Sequence, residues 1–543
     1  MANTSFNGAQ IIAQKLKQAG CKRAFGIPGG EVLAILDGLG QAGIDFHLTK
    51  HENAAGFMAE GAWHAEEAGS RAPAVLVATI GPGVANAVNV IANAMQDRVP
   101  MIFLTGCVET SEAETYTHQV FDHQAMLRPI VKDTFRASSG TLGVMMEKAL
   151  AVAFDGQPGP VHIDVPIGVA ENISDEILRD LPVVASPSMP AVGETLAAAM
   201  DGFASAKNPI IIAGVDAVKE DVSVALTNFA ESLSIPVITT YKGKGLLTED
   251  HPLALGGHGL SPKADKILLP LIAESDFVLL VGYDPIEMRT GWRNVWSDEA
   301  TVVEITPALR THGMHRVDIT LNGAIEPALL QLAHARTSKT CWENDKPATT
   351  RAELEEAFSV PEDWGPGPVF ATLNACLPEE AVITADSGAH RILLSQMWRS
   401  KHPHAFLQST AFCTMGCAVP LAAGYKIAKP DIPVCAFVGD AGLEMMLGEL
   451  ATIREMKQPL LICVLVDESL ALIELKQRNM QRKNLGVDFQ GTDLVAVANA
   501  MGGHGVWVDD VNTLESEAIS GLERETFTLL ACRINRRAYD GAF

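Results

Sequence analysis

Two aspartates stand where they could share a cation. Asp440 lies in GDAG, between Gly439 and Ala441, and Asp467 follows 27 positions later. PVCAFV (433–438) before the first and LLICVLV (460–466) before the second read as buried strands. GDAG reads as a turn. Leu447, Leu450, Ile453 and Met456 then recur at helical spacing until Pro459 stops the helix. A strand–helix–strand unit of this kind has parallel strands joined by a right-handed crossover. Both carboxylates would therefore stand at carboxyl ends of strands. Neighbouring strands lie about 4.8 Å apart, within common reach of one ion. Glycines and a helix start beside a carboxylate suit an anion, so the pair suggests a magnesium ion holding a phosphorylated ligand. Either aspartate alone would pass as a helix-start charge or a turn residue.

The elements that must position this pair recur along the chain. PAVLVAT, the GPG turn at 81–83, a helical run, Pro100 and MIFLTG form one such unit. PIIIAG, a helical run, Pro236 and VITT form another. The expected fold class is α/β, with three domains, each a mostly parallel sheet flanked by helices. Segments 181–194 and 335–353 read as joints, which bounds the domains at 1–183, 190–335 and 355–543.

Composition excludes other classes. The 543 residues are too many for one core, and 48% hydrophobic with 20% charged residues fits a globular chain. A net charge of -24 repels phosphate backbones, so no nucleic acid partner is expected. No apolar run reaches membrane-spanning length and the first residues lack a signal-peptide pattern. Nine scattered cysteines, such as Cys435 and Cys463 in apolar runs, read as reduced thiols of a cytoplasmic protein. Cys413 and Cys417 have no second pair at zinc spacing. No P-loop and no complete G-x-G-x-x-G follows a strand, and YKGKG (241–245) reads as a loop.

Five segments together resemble the thiamine diphosphate-dependent enzymes, in family order and over nearly the whole chain. They are FGIPGGEVLAILDGL (25–39), KHENAAGFMAEGAW (50–63), TIGPGVANAVNVIANAMQDRVPMIFLTG (79–106), TADSGAH (384–390) and CTMGCAVPLAAG (413–424), beside GDAG and Asp467. The third is similar to acetohydroxyacid synthases. The resemblance implies that Glu52 bonds the aminopyrimidine of the cofactor and promotes loss of its C2 proton, and that this glutamate is partly buried. It implies Gln119 as a pocket glutamine and Met415 as the prop beneath the ring. It implies the Cys413 carbonyl as an acceptor, and Pro28, Gly29, Asn86, Ser387, Gly388, His390, Gly439, Ala441 and Gly442 as cofactor contacts. Asp440, Asp467 and the Ser469 carbonyl would be the metal ligands. A homodimer or homotetramer with the site between chains is also implied.

The sequence departs from the pattern in places. Ala441 replaces a glycine and Asp467 an asparagine. His118 replaces a phenylalanine and Val120 a glutamate in the pocket wall. Lys476, with Leu472 and Ile473 on its helix, falls where the synthases have a tryptophan that selects the second substrate. A lysine there points to an anionic group, or else reaches out to solvent. The central domain is where FAD sits in the synthases, but the acidic pattern in VVEITPALRTH (302–312) is altered, so FAD is not expected. The expected function is a thiamine diphosphate- and Mg2+-dependent enzyme that decarboxylates a 2-oxo acid and joins the product to a carbonyl acceptor. Simple decarboxylation, cleavage of an acyloin or diketone, and a cofactor-binding partner protein with weakened catalysis are the alternatives.

Overall fold

The structure is a computed structural model that describes residues 6–66, 70, 72–181, 188–309, 312–337, 339 and 342–543. It contains three six-stranded sheets, parallel throughout, and a two-stranded antiparallel pair, Phe6–Asn7 with Ile173–Ser174. The chain forms two compact units. One holds the N-terminal sheet together with Phe412–Asp431 and Met446–Gln458. The other holds the central and C-terminal sheets.

The N-terminal sheet runs, edge to edge, Asp45–Leu48, Arg23–Ile27, Ala74–Ala78, Met101–Cys107, Pro160–Pro166 and Asp133–Arg136. The C-terminal sheet repeats the same order: Phe406–Gln408, Val382–Ala385, Val434–Gly439, Leu460–Val466, Phe527–Arg533 and His504–Val508. In both, chain direction across the sheet reverses between the second and third strands, where open sheets form their ligand crevice. In the N-terminal sheet that reversal is flanked by the turns at Pro28 and at Gly81. In the C-terminal sheet it is flanked by Ser387 and by Asp440. The central strands are apolar over their whole length because helices cover both faces, as for Ala74–Ala78, Met101–Cys107 and Leu460–Val466.

Two readings of local structure change. Asp440 does not lie in a plain turn but opens a one-turn helix, Asp440–Glu444. The longer helix starts only at Glu449 and leaves Leu447 outside, because the turn before it is closed by tighter bonds three residues back, from Glu449 N–H to the Met446 carbonyl and from Leu450 N–H to that of Leu447. The segment 335–353, read as an irregular joint, includes the start of a helix, Lys346–Ala357, with proline in its first turn where no N–H is needed. Part of the other joint, 182–187, lies outside the described residues.

YKGKG is a loop, as read, but its lysine is structural. Buried Lys244 bonds both carboxylate oxygens of Glu249 (2.6 and 2.7 Å) and the Ser395 carbonyl (2.9 Å). Glu249 also accepts the Ser400 N–H at 2.8 Å, so the buried pair is fully hydrogen-bonded.

The helix that carries the candidate glutamate, Glu52–His64, is buried on almost every side. It packs on Ala418–Ala428 backbone to backbone. A Cβ at Gly61 would stand 2.1 Å from the Leu421 carbonyl oxygen, and one at Gly424 would stand 1.9 Å from that of Met58. Gly61→Ala gains about 1 kcal/mol of helix propensity and loses about 3 kcal/mol to overpacking. The expected result is an earlier first transition in urea unfolding, by about 2 kcal/mol. An unchanged midpoint would contradict this close packing.

Candidate active site

Glu52 is the first residue of its helix, and His51 caps it, accepting the Asn53 N–H on Nδ1 at 3.1 Å. The backbone just before it is fixed by buried Glu449, which accepts the Lys50 N–H at 2.9 Å and the Thr452 hydroxyl at 2.8 Å. The glutamate is 5% exposed, and Asn86 Nδ2 donates to its Oε2 at 2.9 Å. Its Oε1 lies 3.3 Å from where a Cβ on Gly83 would be, so the GPG turn forms the wall beside the carboxylate. On the same side of the N-terminal sheet, Gly29 packs against Thr79, whose hydroxyl donates to Glu31 at 2.5 Å. Pro28 is exposed beside it.

Gln119 and His118 are exposed on the segment that leads to the short helix His123–Leu127, and His118 meets Tyr116 edge-on. The Gln119 carbonyl abuts Gly81. Cys413 is exposed in a left-handed conformation (φ 57°) and Met415 is half-buried. Between them the Thr414 hydroxyl donates to Asn89 at 3.0 Å, which anchors this segment on the helix Pro82–Gln96 that also carries Asn86.

In the other unit, the strands ending at Gly439 and Val466 are hydrogen-bonded neighbours. Asp440 and Asp467 therefore stand side by side, as their spacing requires. Asp440 Oδ2 accepts the N–H groups of Asp467 (3.1 Å) and Glu468 (2.7 Å), and its Oδ1 accepts that of Ala441 (2.8 Å). Asp467 Oδ1 accepts the Ser469 N–H at 3.0 Å. Burial raises the Asp440 carboxyl above its ordinary range. Burial and the neighbouring Asp440 push Asp467 up to about 8. Two carboxylates so placed disfavour each other's charge, and a divalent cation is the partner that would relieve both.

Across the crevice stand Ser387, Gly388 and His390. The His390 ring lies 3.6 Å from where a Cβ on Gly439 would be. Burial, with Arg391 nearby, pushes His390 down to about 3, so it is neutral. Its Nε2 and the Ser387 hydroxyl are buried and have no partner among the described residues. Buried polar groups rarely stay unbonded, so the Ser387 hydroxyl fits an acceptor oxygen such as those of a diphosphate, whereas neutral His390, which donates its one ring proton to the Asp386 carbonyl, presents a bare Nε2 that takes a donor. Ala441 gives its N–H to Asp440 Oδ1. Gly442 is the position that cannot carry a side chain, since its Cβ would stand 2.0 Å from Asp386 Oδ2.

The helix Ala471–Asn479 separates its candidate residues. Leu472 packs into the C-terminal core, whereas Ile473 and Lys476 are exposed. Sequence reading missed the groups that hold the loop before it. Arg536 pairs with Asp488, and Arg478 bonds Glu474 and Asp540. Leu470 donates its N–H to the Val487 carbonyl at 2.8 Å. Apart from Arg478–Glu474, an i,i+4 pair within the helix, these contacts join residues 17 to 62 positions apart, which only a tertiary structure reveals.

The central sheet has the strand order of dinucleotide-binding folds, reversing between Pro209–Ala213 and Phe277–Val281. Its crevice does not fit the pyrophosphate of FAD. The Gly214 and Asp216 N–H groups, which would face phosphate, are bonded to the Val281 and Gly282 carbonyls (3.0 and 3.1 Å). Asp216 and Asp284 are buried there and would repel it.

The same architecture is found in known proteins. Residues 6–126, 196–332 and 386–532 match the N-terminal, central and C-terminal domain models of thiamine pyrophosphate enzymes. A probable acetolactate synthase large subunit of Methanocaldococcus jannaschii is 32% identical over 86% of this chain and 81% of its own. The acetolactate synthase of Bacillus subtilis is 26% identical over 95% of this chain and 91% of its own. A probable 2-ketoarginine decarboxylase of Pseudomonas aeruginosa is 29% identical over 97% of this chain and 94% of its own. With three parallel-sheet domains in family order and a relative of this similarity across most of both lengths, the chain belongs to the acetolactate synthase-like thiamine diphosphate-dependent enzymes.

Proposed function

We propose that the protein is a thiamine diphosphate- and Mg2+-dependent carboligase that decarboxylates a 2-oxo acid and joins the remaining fragment to a carbonyl acceptor. The observation that carries this reading is the buried Glu52 carboxylate, held by Asn86 at the first turn of a rigid helix. When bound, the cofactor would supply a carbon nucleophile for the keto carbon and a cationic ring that takes up the electron pair released as CO2 leaves.

The chain's own residues do the rest. Glu52 would exchange a proton with the aminopyrimidine ring, and Asn86, bonded to its Oε2, would leave Oε1 to face that ring. Asp440, Asp467 and the Ser469 carbonyl would hold the cation, while the Ser387 hydroxyl would donate to a diphosphate oxygen and the bare His390 Nε2 would line that site as an acceptor. The Cys413 carbonyl would accept from the amino group and Met415 would support the ring. Gln119 donates to the substrate carbonyl as charge develops on it. Exposed Lys476 would meet an anionic substituent of the acceptor. A homo-oligomer that completes the site from two chains is part of this reading. The similarity to a probable 2-ketoarginine decarboxylase supports simple decarboxylation as the second reading.

Glu52→Gln keeps shape and removes the exchangeable charge. Turnover of pyruvate, followed by proton NMR of the products, should fall by about 10²–10⁴-fold, with thiamine diphosphate affinity within about threefold of the original. Full turnover in this variant would contradict the assignment.

The cation site should be linked to pH. With Asp467 titrating near 8, the metal-free pair retains a proton at neutral pH that the cation must displace. Apparent Mg2+ affinity, read by titration calorimetry in several buffers, should weaken by about tenfold per pH unit below 8, with one proton released. Asp467→Asn should flatten this dependence. A pH-independent affinity in the unaltered protein would contradict the shared proton.

A further inference from the structure

Within the N-terminal unit, a line of hydrogen bonds crosses the sheet and ends on the GPG turn. It uses five groups that the proposed chemistry does not employ. His123 Nε2 accepts the Gly81 N–H at 3.1 Å. Its Nδ1 lies 2.7 Å from Asp164 Oδ1. The Thr105 hydroxyl lies 2.8 Å from the same oxygen and 2.8 Å from His162 Nε2. His162 Nδ1 lies 2.7 Å from the Thr134 hydroxyl. His123, His162, Thr105 and Asp164 are all buried.

One proton order satisfies the whole line. A backbone N–H only donates, so His123 Nε2 is bare and its Nδ1 carries the proton, which it gives to Asp164. Asp164 then also receives the Thr105 hydroxyl. Thr105 accepts from His162 Nε2, and His162 Nδ1 accepts from Thr134. Burial alone would raise the Asp164 carboxyl, but the two imidazoles outweigh it and hold it well below the usual carboxylate range. His123, His162 and Asp164 also lie close enough to bind a metal ion together. The Gly81 bond argues against that, because an ion on Nδ1 would have to displace the proton that this bond fixes there.

His123 ends the segment that carries Gln119, and Gly81 lies two residues before Gly83, the wall of Glu52. The two segments touch a second time. Gly81 adopts φ 70°, and its Cβ would stand 2.3 Å from the Gln119 carbonyl oxygen. We propose that His123, oriented by Asp164, is a positioning residue that staples the Gln119 segment to the GPG turn and so fixes Gln119 relative to Glu52. The staple itself stands on hydrogen bonds within the N-terminal unit. Its effect on turnover rests on the function proposed above.

Glutamine can replace both roles, with Oε1 accepting from Gly81 and Nε2 donating to Asp164; alanine can replace neither. Hydrogen–deuterium exchange of peptides spanning 79–84 and 109–122 reads the staple without any catalysis. His123→Ala should speed exchange at Gly81 by about tenfold or more, as for one lost buried hydrogen bond, and His123→Gln should stay near the original. Turnover should fall by about tenfold or more in the alanine variant, through kcat rather than KM, and largely return in the glutamine variant. Thiamine diphosphate affinity should be unchanged in both. Exchange at Gly81 unaffected by alanine, or a glutamine variant as impaired as alanine, would overturn the proposal. Should the alanine variant not fold, 15N chemical shifts of His123 in the unaltered protein decide. A protonated Nδ1 with a bare Nε2 is expected, and the opposite tautomer overturns the staple. If no 2-oxo acid is turned over, the function fails while exchange and tautomer still judge the staple.

Discussion

Two carboxylates buried side by side are the constraint around which the C-terminal sheet is arranged. Asp440 and Asp467 stand there because their strands are adjacent and parallel, and each carboxylate is held by backbone N–H groups. Those bonds orient the charges but do not neutralise them. Burial raises the proton affinity of both groups, Asp440 adds to the rise at Asp467, and Arg536 offsets only part of it there. A surface pair would relax into solvent. Asp440 flanks the reversal of the sheet and Asp467 ends the next strand along, and across the reversal the buried Ser387 Oγ and His390 Nε2 have no partner among the described residues. A cation with a diphosphate would meet the charge of the pair and the unbonded Ser387 hydroxyl together.

The N-terminal sheet uses the same strand order for a different purpose. Among the described residues, its crevice presents no paired carboxylates. It presents one buried glutamate, set at a helix start and walled by a glycine turn. The central sheet has a dinucleotide-type order, yet its crevice is closed by backbone hydrogen bonds and acidic side chains. Three related sheets thus differ in what their turns allow, and chemistry follows the turns.

Much of this was legible in the sequence. The apolar runs ending in GPG, GDAG and Asp467 located the strands and placed both aspartates at strand ends, because period and punctuation are local signals. The role of Ala441 was not legible. That Gly442, not residue 441, must lack a side chain depends on where Asp386 comes to rest, and nothing local reports it. Nor was Lys244, which resembles a loop cation but forms a buried pair with Glu249. The helix Lys346–Ala357 was missed because its polar composition gives no apolar periodicity. His123 stands in the motif that supplied Gln119, but its partners Gly81 and Asp164 lie 42 and 41 residues away.

The most direct test of the account needs no knowledge of the substrate. Thiamine diphosphate is incubated with the protein and Mg2+ in deuterium oxide, and loss of the C2 proton signal is followed by quenched-flow NMR. The account predicts exchange much faster than in free thiamine diphosphate, dependent on Mg2+. Exchange no faster than that of the free compound, with the cofactor shown to be bound, would contradict it.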